Sequence, residues 1–426
     1  MNIHVVTAGE SLFSVALRYG VPLEQLVFDN GIAASAELLT GQSLLIRFPL
    51  ESYAVRSGDT LRSIARKTGL SLRELLAKNP NLAGEDNLSG GELLTLRLAH
   101  EPTHALAVLG YAPPDMPAGL LRSVLPYLTC LATAAHRVTE MGELLAPADE
   151  AMLAAAGELG VSGILHLSAL DERGRFPDDG TALMLADESL QGKLIGQIGK
   201  ALYRKGYRGI DVDLGCIYPE DARRYADFIR RLSSIFNPFG IPMTVALAEK
   251  TGRNGEESHS GGHDYAALGA AANSVLLMTS ERGYRYGPPR PLAPLPQVQA
   301  LLDDALTQIP AEKIFMELPN FGGDWTLPFV SGLSRVRSLG NAEALRLAQQ
   351  HTAEIFYDET SSSPYFTYTA ADGSAHIVHF EDARSMEAKL ALAIRRGLYG
   401  VGCRNLMRPS AQNWRLLASL SRIHPA

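Results

Sequence analysis

Two tryptophans, three cysteines and no long apolar run in 426 residues narrow what this chain is able to be. The cysteines, Cys130, Cys216 and Cys403, are odd in number, far apart and without metal-ligand spacing. That excludes a disulfide framework and a zinc-finger pattern, and leaves buried, reduced thiols as the expectation. No apolar stretch approaches the roughly 20 residues that cross a bilayer, so no membrane partner is expected. The opening Met1-Asn2-Ile3-His4-Val5-Val6 has neither the basic region nor the apolar stretch of a signal peptide. The chain is therefore expected to be made in, and at first to stay in, the cytoplasm. The formal net charge is −7, with Lys and Arg scattered. A nucleic-acid partner needs a concentrated basic face, so none is expected. His259 and His263 read as loop histidines, and neither a metal nor a cofactor is expected.

What is present is globular material, 46% hydrophobic and 20% charged, enough for a sizeable core and two or three domains. The first hundred residues repeat at an offset of 49 positions. His4-Val5-Val6 falls on Tyr53-Ala54-Val55, and Gly9-Glu10-Ser11-Leu12 on Gly58-Asp59-Thr60-Leu61. Gly20 falls on Gly69, Leu26 on Leu75, Asn30 on Asn79 and Gly41 on Gly90. Each copy reads as strand, helix, helix, strand. Ser11 and Thr60 are positioned to cap the first helix with a side-chain oxygen. Gly20 and Gly69 are positioned to end it, because glycine enters the left-handed region without strain.

The Gly-Asp-Thr-Leu turn, the Ser-Ile-Ala helix and the asparagine ending the second helix resemble the LysM module, over residues 1–49 and 50–98. The resemblance implies binding of N-acetylglucosamine polymers such as peptidoglycan or chitin. It places the groove between two loops. These are Gly9, Glu10, Ser11 and Leu12 with Asn30, Gly31 and Ile32, and Gly58, Asp59, Thr60 and Leu61 with Asn79, Pro80 and Asn81. Turn geometry alone accounts for any single glycine or capping residue. The groove as a unit is the stronger expectation, since backbone amides serve N-acetyl groups without special side chains.

Beyond a short linker, residues 102–426 alternate apolar strand-like runs with amphipathic helices. The eight runs are Ala105–Tyr111, Tyr127–Thr133, Gly163–Ser168, Gly209–Leu214, Pro242–Ala248, Ser274–Thr279, Ile314–Leu318 and Gly400–Arg404. This α/β pattern predicts a (β/α)8 TIM barrel with its site at the strand C-termini. An inserted α+β lobe is expected at about residues 331–382, with a hairpin split by Ala371-Asp372-Gly373.

On the fourth strand, Asp211, Asp213 and residue 215 share the inward face, because side chains alternate along a strand. The stretch resembles the family 18 glycoside hydrolases, whose fourth strand ends in Asp-x-Asp-x-Glu. Further likeness runs through Gly262-His263-Asp264-Tyr265, Tyr284-Arg285-Tyr286-Gly287, Asp324-Trp325-Thr326-Leu327-Pro328 and Phe380-Glu381-Asp382-Ala383-Arg384. Together with the modules it resembles the LysM-bearing spore-germination branch, the spore-cortex N-acetylglucosaminidases. The resemblance implies substrate-assisted cleavage, in which the substrate's N-acetyl oxygen attacks, an Asp orients it and a Glu protonates the leaving oxygen.

The chain departs from that pattern where the chemistry lies. Gly215 stands at the acid position and has no proton to give. Met278-Thr279-Ser280-Glu281-Arg282-Gly283 replaces the family's Met-x-Tyr-Asp/Glu-Trp-Gly. Arg404 replaces the tryptophan that ends the eighth strand, and His379 the one expected before Phe-Glu-Asp-Ala-Arg. Arg282 and Arg404 are expected to fill the vacated aromatic space and to pair with Asp211, Asp213 or Glu281. Asp211 and Asp213 then remain as ordinary carboxylates at the mouth.

The reading is a non-catalytic, family 18-like spore protein that attaches to peptidoglycan of the cortex or coat. Spore-coat proteins are a further expected class of partner. Made in the mother-cell cytoplasm, it reaches the forespore surface without export. The alternatives are an active retaining N-acetylglucosaminidase with a displaced acid, such as Glu281 or Glu220, and a lectin-like binder of chitooligosaccharides.

Overall fold

The computed structural model describes residues 1–82, 88–139, 141–169, 180–215, 217–248, 261–280 and 287–425. Each N-terminal module packs two helices against an antiparallel strand pair. In the first, strands Asn2–Val5 and Ser43–Ile46 pair around helices Leu12–Tyr19 and Leu23–Asn30. In the second, strands Pro49–Ala54 and Leu93–Leu98 pair around helices Leu61–Thr68 and Leu72–Lys78. The caps fall where the sequence puts them. Ser11 with Ser14, and Thr60 with Ser63, form reciprocal capping boxes, and Gly20 and Gly69 close the helices at φ +64° and +74°. Val15, Ala16, Leu26 and Leu44 fill one small core, and Ile64, Ala65, Leu75 and Leu94 the other.

The repeat slips by one residue near its end. Gly41 donates to Val6 O and Gly91 to Val55 O, both glycines in the left-handed region. Gly41 therefore corresponds to Gly91 rather than to Gly90, since the second module carries one extra residue before its last strand.

Eight parallel strands close into a barrel. They are β1 (His104–Tyr111), β2 (Cys130–Ala132), β3 (Ser162–Ser168), β4 (Gly209–Asp213), β5 (Met243–Leu247), β6 (Ser274–Leu277), β7 (Ile314–Glu317) and β8 (Gly400–Arg404). Each pairs with the next, and β8 returns to β1. All eight lie on the expected runs. The pleat sorts their side chains. Leu106, Val108, Leu165, Leu167, Ile210, Val212, Met316 and Val401 face the outer helices. Ala107, Leu109, Tyr111, Ile164, Leu276 and Phe315 fill the interior.

The lobe is a five-stranded antiparallel sheet whose first strand, Phe321–Leu327, follows β7 directly and pairs with Arg337–Gly340 and Ala375–His379. The expected boundary near 331 is thus too late. Phe321–Leu327 is not one of the eight apolar runs, and its pairing assigns it to the lobe. The hairpin of Ser363–Thr369 and Ala375–His379 is as expected.

Both modules are docked on the barrel. The Arg73 guanidinium donates to Pro126 O at 3.0 Å, and the Tyr127 hydroxyl to Ala77 O at 2.9 Å. Gln412 Nε2 donates to Asn30 Oδ1 and Ser43 O at 2.9 and 2.8 Å. At Gly41 a side chain has no room, since a Cβ would lie 1.7 Å from Ile355 O. Cys130 and Cys403 are free, and burial pushes their thiols up to about 11 and about 12. They are inert thiols rather than nucleophiles.

Candidate functional site

The C-terminal ends of the strands carry every inward-facing charged group of the barrel named below, because the pleat that sends Ile210 and Val212 outward sends Asp211 and Asp213 inward. Both aspartates are buried. Asp211 Oδ2 lies 2.7 Å from His166 Nδ1, while its Oδ1 has no hydrogen-bond partner among the described residues. The His166 ring meets Tyr111 edge-on at 5.3 Å. Burial, reinforced by Asp211, pushes the Tyr111 phenol well above its ordinary range, so it stays a neutral hydroxyl.

Asp213 is bound across the mouth by β8. Arg404 Nη1 donates to Asp213 Oδ2 at 2.6 Å, touches Met278 Sδ at 3.4 Å and lies over the Tyr111 ring at 5.0 Å. Burial works against the guanidinium's charge, yet Asp213 and then Tyr111 outweigh it and raise its pKa above the ordinary arginine value. Arg404 therefore pairs with one of its expected partners and occupies aromatic space, as a permanent cation stacked on a phenol.

Gly215 is buried with φ +76°. Its amide donates to Asp213 Oδ1 at 3.2 Å. Its carbonyl lies 3.1 Å from His263 Nε2, and Ala248 N donates to His263 Nδ1 at 3.0 Å. An imidazole that accepts at Nδ1 carries its proton on Nε2, so His263 is a neutral donor tying the end of β4 to the end of β5. It lies in the loop before helix Tyr265–Ala271 and is buried there.

A third buried carboxylate, Glu317 on β7, was not anticipated. Its Oε2 accepts from Thr279 N, Ser280 N and Ser280 Oγ at 3.0, 2.9 and 2.8 Å. Ser280 thus belongs to the mouth, held by Glu317. The signal in the sequence was a lone charge within Ile314-Phe315-Met316-Glu317-Leu318, at the end of a barrel strand. His166 and Tyr111 gave the same kind of signal, polar residues at inward positions of apolar strands.

His379 sits in the lobe, edge-on to Trp325 at 5.9 Å and against Tyr365 at 5.7 Å. Burial pushes its pKa down to about 4, so it is neutral. Glu281, Arg282, His259 and Cys216 lie outside the described residues. Glu220 is the middle residue of the short turn Pro219–Asp221 after β4, and the neighbouring Asp221 holds Arg224.

In the modules, Glu10 and Asp59 brace the first loop of each expected groove. Glu10 accepts from Thr7 N, and Asp59 from Lys67 Nζ and then Arg56 N, which holds each carboxyl down at about 2. Ser11 and Thr60 cap helices, and Leu12 and Leu61 are buried beneath them. The Asn30 and Asn79 side chains each saturate backbone groups, Leu26 O and Leu45 N and O in one, Leu75 O and Thr95 N and O in the other. Any contribution of Asn30, Gly31 and Ile32, or of Asn79 and Pro80, to a groove therefore rests on backbone atoms and neighbours. Asn81 Nδ2 donates to Glu92 at 3.2 Å. Gly9 and Gly58 have matching φ of +81° and +82°.

A family model described as Glycosyl hydrolases family 18 matches residues 178–406, and the LysM domain model matches 4–47 and 53–96. The chain is 36% identical over 420 residues to a Bacillus anthracis protein named Cortical fragment-lytic enzyme, covering 98% of this chain and 97% of that one. The crystal structure of the Bacillus cereus spore cortex-lytic enzyme SleL superposes with a TM-score of 0.82 at 29% identity, over 100% of this chain and 99% of that one. A chitinase from Chromobacterium violaceum shares the barrel, with a TM-score of 0.68 and 25% identity over 75% of this chain.

Proposed function

The chain belongs to the family 18 glycosyl hydrolases, with two LysM domains ahead of the barrel, and from that premise we propose a spore-associated, peptidoglycan-binding protein whose barrel no longer hydrolyses glycan. The modules grip N-acetylated sugars through the two loop pairs, and the barrel serves as scaffold. The observation that carries this reading is the Arg404–Asp213 ion pair, whose aspartate also accepts from the Gly215 amide. Substrate-assisted cleavage needs a carboxylate free to orient the N-acetyl group and an acid beside the glycosidic oxygen. Here the first is bound to a guanidinium and the second is a glycine. Incubating the full chain with spore-cortex fragments and separating the muropeptides tests it. The expected result is sedimentation with insoluble peptidoglycan and no new reducing ends. New cleavage products would overturn it.

The second reading is an active N-acetylglucosaminidase. It is favoured by the lytic relatives of nearly full length and by Glu317, a carboxylate at the same mouth. If turnover is found, Glu317→Gln abolishes it under this reading.

A further inference from the structure

The two copies of the repeat share a fold but not a surface. At the 49-residue offset Thr7 falls on Arg56, Phe13 on Arg62 and Leu17 on Arg66. All six residues are exposed. The first helices of the modules carry the same reciprocal cap and the same closing glycine. They also bury the same face, Leu12, Val15 and Ala16 in one and Leu61, Ile64 and Ala65 in the other. The fold is therefore satisfied with Thr, Phe and Leu at the three positions, and packing does not call for arginine.

Local electrostatics does not call for it either. Arg62 lies in the first turn of helix Leu61–Thr68, which holds no acidic residue, and the helix dipole disfavours a cation at that end. Arg62 and Arg66 are four residues apart on one face, where like charges repel. The nearby Lys67 is already engaged, pairing with Asp59 as Arg18 pairs with Glu10 in the first module. Asp59 also accepts from the Tyr53 hydroxyl and the Arg56 amide. None of the three arginine side chains has a partner among the described residues. A chain of net charge −7 thus gathers unpaired cations on one small module.

That module is open where the first is docked. The barrel holds it through its second helix, where Arg73 donates to Pro126 O and Ala77 O accepts from Tyr127. A Cβ on Gly58 or Gly91 would meet nothing within 4 Å, whereas Gly31 and Gly41 of the first module abut Ala411 and Ile355. Arg62 follows directly on Gly58–Leu61, the expected first loop of the groove.

We propose that Arg56, Arg62 and Arg66 form a contact surface for the carboxylates of an anionic wall polymer, outside the loops expected to hold its acetamido sugars. The inference rests on the peptidoglycan-binding reading and divides it. The sugar loops are common to both modules, and the charge-dependent part of attachment belongs to the second. Peptidoglycan offers carboxylates from two sources, lactyl groups that carry no peptide and the stem peptides, and a guanidinium pairs with either. Exposed charge contacts are individually weak and are screened by salt. A strand that presents carboxylates at intervals gains from several at once.

Sedimentation of the full chain with insoluble peptidoglycan, freed of phosphate polymers, tests this across a salt series, with insoluble chitin as the neutral reference. Binding to peptidoglycan is expected to weaken about tenfold between low salt and roughly 0.5 M, and binding to chitin to stay level. Arg62→Gln with Arg66→Gln lowers the low-salt affinity for peptidoglycan at least about threefold, and Arg62→Glu with Arg66→Glu at least about tenfold. Neither changes binding to chitin. Arg62→Phe with Arg66→Leu installs the first module's own residues, which that fold accepts, and matches the Gln pair. Soluble competitors locate the carboxylates. Displacement of the salt-sensitive component by peptide-free glycan strands assigns them to the lactyl groups, and displacement by excess stem tetrapeptide assigns them to the stems. Displacement by neither, unchanged affinity in both charge variants, or equal binding to peptidoglycan with its carboxyls esterified overturns the assignment. A protein that pellets with peptidoglycan equally at every salt concentration loses only this surface. One that pellets with neither polymer loses the wall-binding reading as well.

Discussion

Restoring the missing acid by Gly215→Glu is expected to give a less stable protein and no glycosidase. Gly215 is held from both sides, by its amide on Asp213 and its carbonyl on His263, at φ +76°. Any L side chain there costs roughly 1–2 kcal/mol of backbone strain. The new carboxylate also enters a buried wall that already holds Asp211 and Asp213, so like-charge repulsion adds to the strain. Gly215→Ala separates the two terms, because it carries the backbone cost alone. Urea titrations of the three proteins measure both costs, with Glu expected below Ala and Ala below the parent. General acid catalysis contributes about 10²–10⁴-fold, so a pocket lacking only its acid would gain that much. Asp213 stays bound to Arg404 in the variant, and Ser280 stays bound to Glu317, so the expected gain in reducing ends from cortex fragments is none. A variant with parental stability and turnover about a hundredfold or more above the parent would refute the reasoning.

Three further outcomes follow from particular contacts. Arg404→Ala leaves buried Asp213 short of its cation and is expected to cost about 2–3 kcal/mol, less than a fully buried pair because Arg404 is 23% exposed; a thermodynamic cycle with Asp213→Asn measures the coupling, and additive losses would deny it. Gly41→Ala meets both φ +83° and the Ile355 carbonyl, and is expected to cost at least about 2 kcal/mol and to speed amide exchange at Ile355 N, which donates to Thr40 O. Gly20→Ala, with open space around its Cβ, should leave that amide protected. His136 and His379 are both held at about 4 by burial, against an ordinary value of 6.5. The unfolded chain takes up protons first, so their share of stability is present above about pH 6.5 and is lost as pH falls towards about 4. His379→Phe should flatten that decline, and an unchanged pH profile would remove His379 as its cause.

The modules and the barrel strands could be read from the chain because their determinants are local. A module of this size has few core positions, so its caps, its closing glycines and its Ser-Ile-Ala spacing recur at fixed offsets in each copy. The barrel strands announce themselves as apolar runs, and a period of two is enough to place Asp211, Asp213 and Arg404 on the inner face. Where local signals are silent, the expectations slipped. An inserted residue moved the equivalent of Gly41 to Gly91, and Phe321–Leu327, ahead of the expected start of the lobe, belongs to its sheet.

Contacts across the fold required the fold. That Arg404 was to meet a carboxylate followed from its place on the eighth strand, but barrel closure selected Asp213, 191 residues away. Glu317 could be seen as an odd charge in an apolar strand, yet its role depends on the end of β6 presenting two amides and a hydroxyl to it. The cleft between the first module and the lobe has no counterpart in any stretch of sequence, because Gln42 and Asn341 line it from opposite elements only once the module is docked. Periodicity reports which face a residue takes, since backbone geometry repeats every two or 3.6 residues. Which residue it meets on that face is decided by closure and docking, and those depend on the whole chain at once.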